Sequence, residues 1–357
     1  MTANIPKIHI LFKFIEGPWG GGNQFLKALR EYLRKEDVYS ERPTDANVIL
    51  FNSYPFGSEY LFNSAIKLKK NGDKILIHRI DGPIYSIRGS DQIIDRAIYN
   101  FNRLLADGTI FQSKWSRDKN YELGIEKSPH ETIIMNAPDP AIFNPEGKRP
   151  PDKKIRLVAT SWSGNIRRGF EIYRYLDEHL DFNRYEMTFV GNSPVEFKSI
   201  KYLKAVPSGE LAGILKEHDI YITASRNDPC SNALIEALHC GLPAVARNDG
   251  GHPEIVGEAG TLFDDEEGVI GAIEKVAQNY AHFQAQIKLP TSDEIGQRYC
   301  EFVLSIYEDS LSSKYHPKRI NFFGNINFKT NITKMKVQNR LHSMIMVMRN
   351  KEREILP

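Results

Sequence analysis

The sequence predicts an α/β protein of two doubly wound, parallel-sheet domains. Three features predict it. Short β-branched runs alternate with amphipathic helical stretches in both halves, a Pro- and base-rich stretch separates the halves, and 357 residues suffice for two cores.

In the first half, "KIHILFKF" leads into "GNQFLKALREYLRK", and "NVILFN" into "SEYLFNSAIKLKKNG". "KILIHRI" reaches a loop before "DQIIDRAIYNFNRLL", "GTIFQS" precedes "KWSRDKNYELGI", and "ETIIMNAP" closes the series. Repeated strand–helix units of this kind pair as parallel sheets with helices on both faces. "NPEGKRPPDKK" (144–154), with three prolines and four bases, breaks the pattern as a linker does. The pattern then restarts: "IRLVATS", "GFEIYRYLDEHL", "YEMTFVGN", "SGELAGILKEH", "DIYITAS", a helix within "DPCSNALIEALHCG", "LPAVARND" and "EEGVIGAIEKVAQNYAHF". The expected division is a first domain over 1–147, a second over 153–305, and a segment over 306–357 that returns to the first. The amphipathic stretch at 292–310 is expected to close the second domain before that return.

Composition excludes several classes. At 41% hydrophobic and 26% charged the chain is of ordinary globular type, and no run approaches 18 apolar residues. Neither a signal peptide nor a membrane span is expected. Cys230, Cys240 and Cys300 are odd in number and lack CxxC spacing, which supports neither a disulfide framework nor a metal site and fits a cytoplasmic setting. Residues 311–357 hold ten Lys and Arg against two Glu, about +8, so the preceding residues carry about −6 of the net +2. That tail, with "NRLHSMIMVMRNKER", suits either packing on the first domain or peripheral contact with an anionic membrane. No aromatic-interleaved basic motif points to nucleic acid.

In open parallel sheets ligands bind beyond the carboxyl ends of the strands, where helix N-termini present unpaired N–H groups. One such loop is "EGPWGGGNQF", whose Gly21 and Gly22 permit close backbone approach to a phosphate or sugar. A dinucleotide fingerprint would need glycine where Phe25 stands and an acidic residue after "LFNSYPF", so NAD is not indicated. Another is "SRNDPCSNALIEALHCGLPAVA". Asp228 and Pro229 read as N-cap and first helical residue, while Leu234, Ala237, Leu238 and Gly241 form the buried stripe. Glu236 falls on the opposite side with Asn232 and His239. At 1.5 Å per residue the two carboxylates would lie about 12 Å apart, too far for a glycosidase pair. The spacing suits a ligand laid along the helix start, polar at both ends and anionic between.

"DPCSNALIE" resembles the E-x7-E signature of retaining glycosyltransferases of family 4, and "GGHPEIVGEAG" resembles the segment that follows it there. The resemblance extends through "GGGN", "FQSKWSRDKNYELGI" and "IIMNAPDPAIFNP", from about residue 8 to residue 308. It implies a GT-B fold, two Rossmann-like domains facing a central cleft. The second would bind a nucleoside diphosphate sugar, such as a UDP- or GDP-sugar, and the first a glycan or lipid-linked acceptor, with no metal or other cofactor. The implied reaction is transfer of a hexose with retention, as in the building of surface polysaccharides; the alternative is a non-catalytic scaffold that binds the same ligands.

Carried over by resemblance, Glu236 would hold the ribose and Asp228 the transferred sugar. The amides of Cys230, Ser231 and Asn232 would face the sugar, and those of Leu234 and Ile235 the diphosphate. Of the family's basic pair, Arg168 with Gly169 matches the second member; the first falls at Ser163, with Arg167 as its candidate replacement. Arg168 would stabilise charge on the leaving diphosphate. In "IHRIDGPI", His78, Arg79 and Asp81 are candidates for the polar group facing the sugar, His78 also reading as a core histidine. Asn136 would wall the cleft, and backbone around Gly191 and Asn192 would meet the base.

Overall fold

In a computed structural model that describes residues 6–17, 21–70 and 72–320, the first sheet has five parallel strands in the order β1-β2-β3-β4-β5. These are β1 (Ile8–Leu11), β2 (Val48–Asn52), β3 (Ile75–Ile80), β4 (Gly108–Phe111) and β5 (Glu131–Ile133). After α1 (Gly21–Lys35) the chain returns along the free flank of β1, where Tyr39 bridges Ile8 in parallel, and only then crosses to β2. The winding therefore reverses at β1. Accordingly α1 buries Phe25, Leu26, Leu29 and Leu33 on one face of the sheet. On the other face pack α2 (Tyr60–Lys69), the short α3 (Ile84–Arg88), α4 (Gln92–Leu105) and α5 (Lys114–Glu122).

Residues 134–154 carry neither strand nor helix. The second sheet has six parallel strands in the order β11-β10-β9-β6-β7-β8. Along the chain run β6 (Ile155–Ser161), α6 (Phe170–His179), β7 (Tyr185–Gly191), β8 (Lys201–Leu203), α7 (Ser208–Lys216), β9 (Ile220–Thr223) and α8 (Asn232–His239). Then follow β10 (Ala244–Arg247), α9 (His252–Val256), β11 (Gly260–Phe263), α10 (Glu266–Gln278) and α11 (Tyr280–Ala285). Here the winding reverses between β6 and β9, with α6 and α10 on one face and α7, α8 and α9 on the other. Both sheets are thus doubly wound, and each opens a crevice at its reversal point.

The last helix, α12 (Ser292–Leu311), starts on a capping box between Thr291 and Glu294. Contrary to expectation it packs on the first domain. Ile295, Tyr299, Cys300, Val303 and Ile306 join a core with Phe25, Leu29, Val48 and Ile77. The reason is coverage: α1 alone shields that face of the first sheet, and α12 supplies the second helix it needs. Gly296 allows the approach, since a Cβ there would fall 2.2 Å from the Tyr32 ring. Beyond α12 the chain stays on the first domain, with the Tyr315 hydroxyl and the Lys318 N–H both donating to Asp107 at 2.9 and 2.7 Å. The remainder of the basic tail, with its apolar stretch, lies outside the described residues, as does Gly20. Among the described residues no helix is long and apolar enough to cross a membrane.

Candidate functional site in the cleft

The crevice of the second sheet is lined by the turn after β6 and the loop after β9. A 3-10 turn over Ile166–Arg168, capped by the Asn165 side chain on the Arg167 N–H, ends at Gly169. That residue has φ +76° and a Cβ would lie 2.2 Å from the Ala224 carbonyl oxygen, so glycine is required for the turn to press against the end of β9. The turn delivers Arg168 to Asp228, Nη1 to Oδ2, at 2.7 Å. The Asp228 side chain is 12% exposed and that of Arg168 32%, so the pair faces the cleft without being free in solvent.

Asp228 is not the helix cap expected of it. Ser231 is, its hydroxyl accepting from the Leu234 N–H, and the helix begins at Asn232. Asn227, at φ +54°, turns the chain so that Asp228 points to Arg168 instead. The expected diphosphate donors change as well. The Ile235 N–H already donates to the Ser231 carbonyl at 3.0 Å, and that of Leu234 to Ser231 Oγ. The open end of α8 is therefore formed by Ser231, Asn232 and Ala233, while the Cys230 N–H leans on Asp228 Oδ1 at 3.3 Å.

Glu236, one turn beyond Asn232, lines a pocket with Gly21, Gln24, Thr160, Gly191, Val206 and Ser208. Among the described residues nothing donates to its carboxylate, and burial pushes its carboxyl up to about 8. An acid without a partner at the wall of a pocket can accept hydrogen bonds from whatever fills it. Gly191 lines this pocket with φ +128°, a Cβ there clashing with the Ser161 carbonyl oxygen at 2.0 Å. Neither Ser163 nor Asn192 lines this pocket, and both side chains brace the turn after β6. The Ser163 hydroxyl accepts from the Asn165 N–H and Asn192 donates to the Trp162 carbonyl.

A second pocket, of about 280 Å³, joins Asp228, Arg168 and Cys230 to Gly21, Gly22, Arg79, Asp81 and Gln112 of the first domain. Arg79 is 1% exposed and organises that side. It donates to Asn52, to Asp81 at 3.0 Å and to Asn136 at 2.7 Å, over the Phe25 ring. Gln112 also donates to Asp81. Asn136 in turn donates to Asn232 Oδ1 at 3.0 Å, so the polar network spans the cleft. At the same seam a Cβ on Gly21 would strike the Asn232 side chain at 2.5 Å.

His78 takes no part. It is fully buried between Phe51 and Phe101, bonded to the Ser53 carbonyl and Asn102, and burial holds its imidazole down at about 4. Strand alternation explains this: Ile75, Ile77 and Arg79 share the α1 face of β3, and His78 lies on the other. Arg167 also turns away from Asp228, its Nη1 donating to the Ser86 carbonyl of the first domain at 2.7 Å. It ties the domains together. Among the described residues no group of three His, Cys, Asp or Glu is arranged to hold a metal.

Residues 172–279 match the family model described as Glycosyl transferases group 1. Across 95% of this chain and 100% of the other, the structure superposes on sucrose-phosphate synthase from Thermosynechococcus elongatus with a TM-score of 0.61 at 13% identity. The fold is GT-B. The matched residues include the α8 motif, and the architecture is the one that the resemblance implies. Anabaena HepE in complex with UDP-glucose superposes at a TM-score of 0.58 and 14% identity, over 86% of this GT-B chain and all of that one. A probable sucrose-phosphate synthase from Thermosipho melanesiensis is 28% identical over 137 residues, 36% of this chain. The match spans about a third of that relative's length, 32%.

Proposed function

We propose that this GT-B chain is a retaining glycosyltransferase that moves a hexose from a nucleoside diphosphate sugar to a glycan or lipid-linked acceptor. One observation carries the reading: the Arg168–Asp228 pair and the unpartnered Glu236 flank the open N-terminus of α8. In this reading Glu236 accepts from the ribose diol and the N–H groups of Ser231, Asn232 and Ala233 face the diphosphate. Asp228 accepts from hydroxyls of the departing sugar. Breaking the sugar–phosphate bond builds negative charge on the leaving oxygen, and a preorganised guanidinium there lowers the barrier. Asp81, held by Arg79 and Gln112, faces the acceptor from the opposite wall. HepE, crystallised with UDP-glucose, makes UDP-sugars the first donors to try, with GDP-sugars next. Surface polysaccharide assembly at the inner face of a membrane is the setting we propose.

A binding scaffold without catalysis is the second reading. It is favoured by the basic pair, in which Ser163 replaces one member and Arg167 is turned to the first domain. Thermal stabilisation by a panel of nucleoside diphosphates and their sugars, on wild type and Glu236→Ala, tests the site. Stabilisation by one nucleotide, lost in the variant, together with sugar transfer that Asp228→Ala abolishes, is the expected result. Binding without turnover leaves the scaffold, and no stabilisation by any nucleotide refutes the transferase reading and leaves only a scaffold that binds glycan.

A further inference from the structure

Glu254, on α9 of the second domain, seats its carboxylate on the N-terminus of α5 in the first. Oε2 accepts from the Lys114 N–H and Oε1 from the Trp115 N–H, both at 2.9 Å. Ser113 covers the next donor, its hydroxyl accepting from the Ser116 N–H at 2.9 Å. A helix leaves its first N–H groups without internal acceptors, and negative charge there is favoured by the helix dipole. Two of these acceptors come from the other domain, so α5 is fully capped only while the cleft is closed.

The two helices joined in this way each brace the backbone of a loop that carries one of the facing carboxylates. On the first-domain side, Asn120 of α5 donates to the Asp81 carbonyl at 3.0 Å, and the Trp115 ring lies 3.0 Å from where a Cβ of Gly82 would be. On the other side, Gly251, immediately before α9, donates its N–H to the Asp228 carbonyl at 2.8 Å. The loops themselves touch, since a Cβ on Gly82 would meet Pro229 at 2.9 Å. Glu254 is therefore linked through α5 to Asp81 and through α9 to Asp228, although it lines neither pocket described above.

We propose that Glu254 is a positioning residue: by capping α5 across the cleft it sets Asp81 in register with Asp228. The proposal rests on the reading of the cleft as a transfer site. Without the cap the domains still fold and the second domain still holds nucleotide, but the two walls no longer meet in a fixed geometry. Misplacement of reacting groups by about 1 Å costs on the order of 100-fold in rate, which sets the scale of the effect.

The test uses the full chain with UDP for binding, UDP-glucose as the first donor for turnover, and small-angle scattering of the free protein. Glu254→Ala is expected to keep UDP affinity within about twofold, lose about tenfold or more in turnover, and show a larger radius of gyration. Glu254→Gln, whose amide oxygen serves one N–H, is expected to fall between. Wild-type turnover in Glu254→Ala overturns the proposal, as does a fall in UDP affinity that matches the fall in turnover. Should the wild type bind no nucleotide, the transfer reading fails separately. Scattering then decides the clamp alone, an unchanged radius of gyration in Glu254→Ala refuting it.

Discussion

Arg168 Nη1 lies 2.7 Å from Asp228 Oδ2, so the Asp228 side chain is engaged in an ion pair and leaves the cap of α8 to Ser231. Two substitutions separate these roles. Asp228→Asn is expected to leave the midpoint of thermal unfolding near wild type, because Ser231 caps the helix, while sugar transfer falls about 100-fold or more. Ser231→Ala is expected to cost about 1 kcal/mol of stability. Arg168→Ala should lower turnover by about 10²–10³, the effect of removing one preorganised donor, and Arg168→Lys should restore little because it lacks the planar fork. Thermal melts beside transfer assays decide it; a large melting shift in Asp228→Asn would return that residue to a structural role.

Glu236 predicts a pH dependence of definite sign. Burial opposes the charged form and pushes its carboxyl from the ordinary value near 4.5 up to about 8 in the folded chain. A raised carboxyl pKa means that the folded state binds more protons through this interval. The stability contribution is therefore full below about pH 4.5 and is lost as pH rises towards 8. The slope is at most about 1.4 kcal/mol per pH unit for one group, and water in the half-open pocket reduces it. Urea unfolding of wild type is expected to weaken over this interval relative to Glu236→Gln. Nucleotide binding should release a proton below pH 8, since ribose hydroxyls donate best to the carboxylate. Parallel stability profiles for the two proteins would contradict both expectations.

Much of this was legible in the sequence for a physical reason: buried parallel strands and amphipathic helices have strong periods. β8 is exposed or half-buried throughout and β11 exposes its Leu262, so neither presents a buried apolar run, and the five-residue α9 is little more than one helical turn. The α8 stripe could be read directly, with Leu234, Ala237 and Leu238 buried and Glu236 on the pocket side. The cap could not, because Asp-Pro and Ser-Asn both satisfy local rules and the choice fell to a positive φ at Asn227. Among His78, Arg79 and Asp81 the sequence alone left the choice open. Alternation places His78 and Arg79 on opposite faces of β3, but only the packing of α1 and α12 tells which face borders the cleft. Arg167 and Glu254 act across the cleft, at separations of 81 and about 140 residues that no local pattern encodes.

The glycine pair after β10 gives a third prediction. Gly250 adopts φ +65°, and a Cβ there would lie 2.3 Å from the Asp228 carbonyl oxygen. Backbone cannot yield as a flexible side chain can, so Gly250→Ala must displace the Asp228 loop. The strained φ costs about 1–2 kcal/mol in stability and the displacement removes Asp228 from Arg168. Transfer is expected to fall at least as far as in Asp228→Asn, with a lower melting temperature that Asp228→Asn does not share. Full activity in Gly250→Ala would mean that the loop tolerates rearrangement and that the pair geometry is not decisive.

The last prediction concerns the strap that follows α12. Lys69 and Asp107, both 0% exposed, are paired at 2.6 Å, and Asp107 also accepts from the Leu76 N–H, the Tyr315 hydroxyl and the Lys318 N–H. One carboxylate thus joins a helix end, the start of β3 and the chain after residue 313. Removing one partner of a buried pair leaves the other charge without compensation, which costs about 3–5 kcal/mol. Asp107→Ala is expected to destabilise the first domain by about that amount and to expose the segment around Lys318 to trypsin in the native protein. Replacing both members, as Lys69→Met with Asp107→Leu, removes the stranded charge and should recover much of the stability, but not the protection of Lys318, which depends on the carboxylate. Denaturant titration and limited proteolysis of the three proteins separate the cost of an unpaired charge from the loss of the strap. Recovery of both together would show that Asp107 holds the strap only by keeping its own surroundings folded.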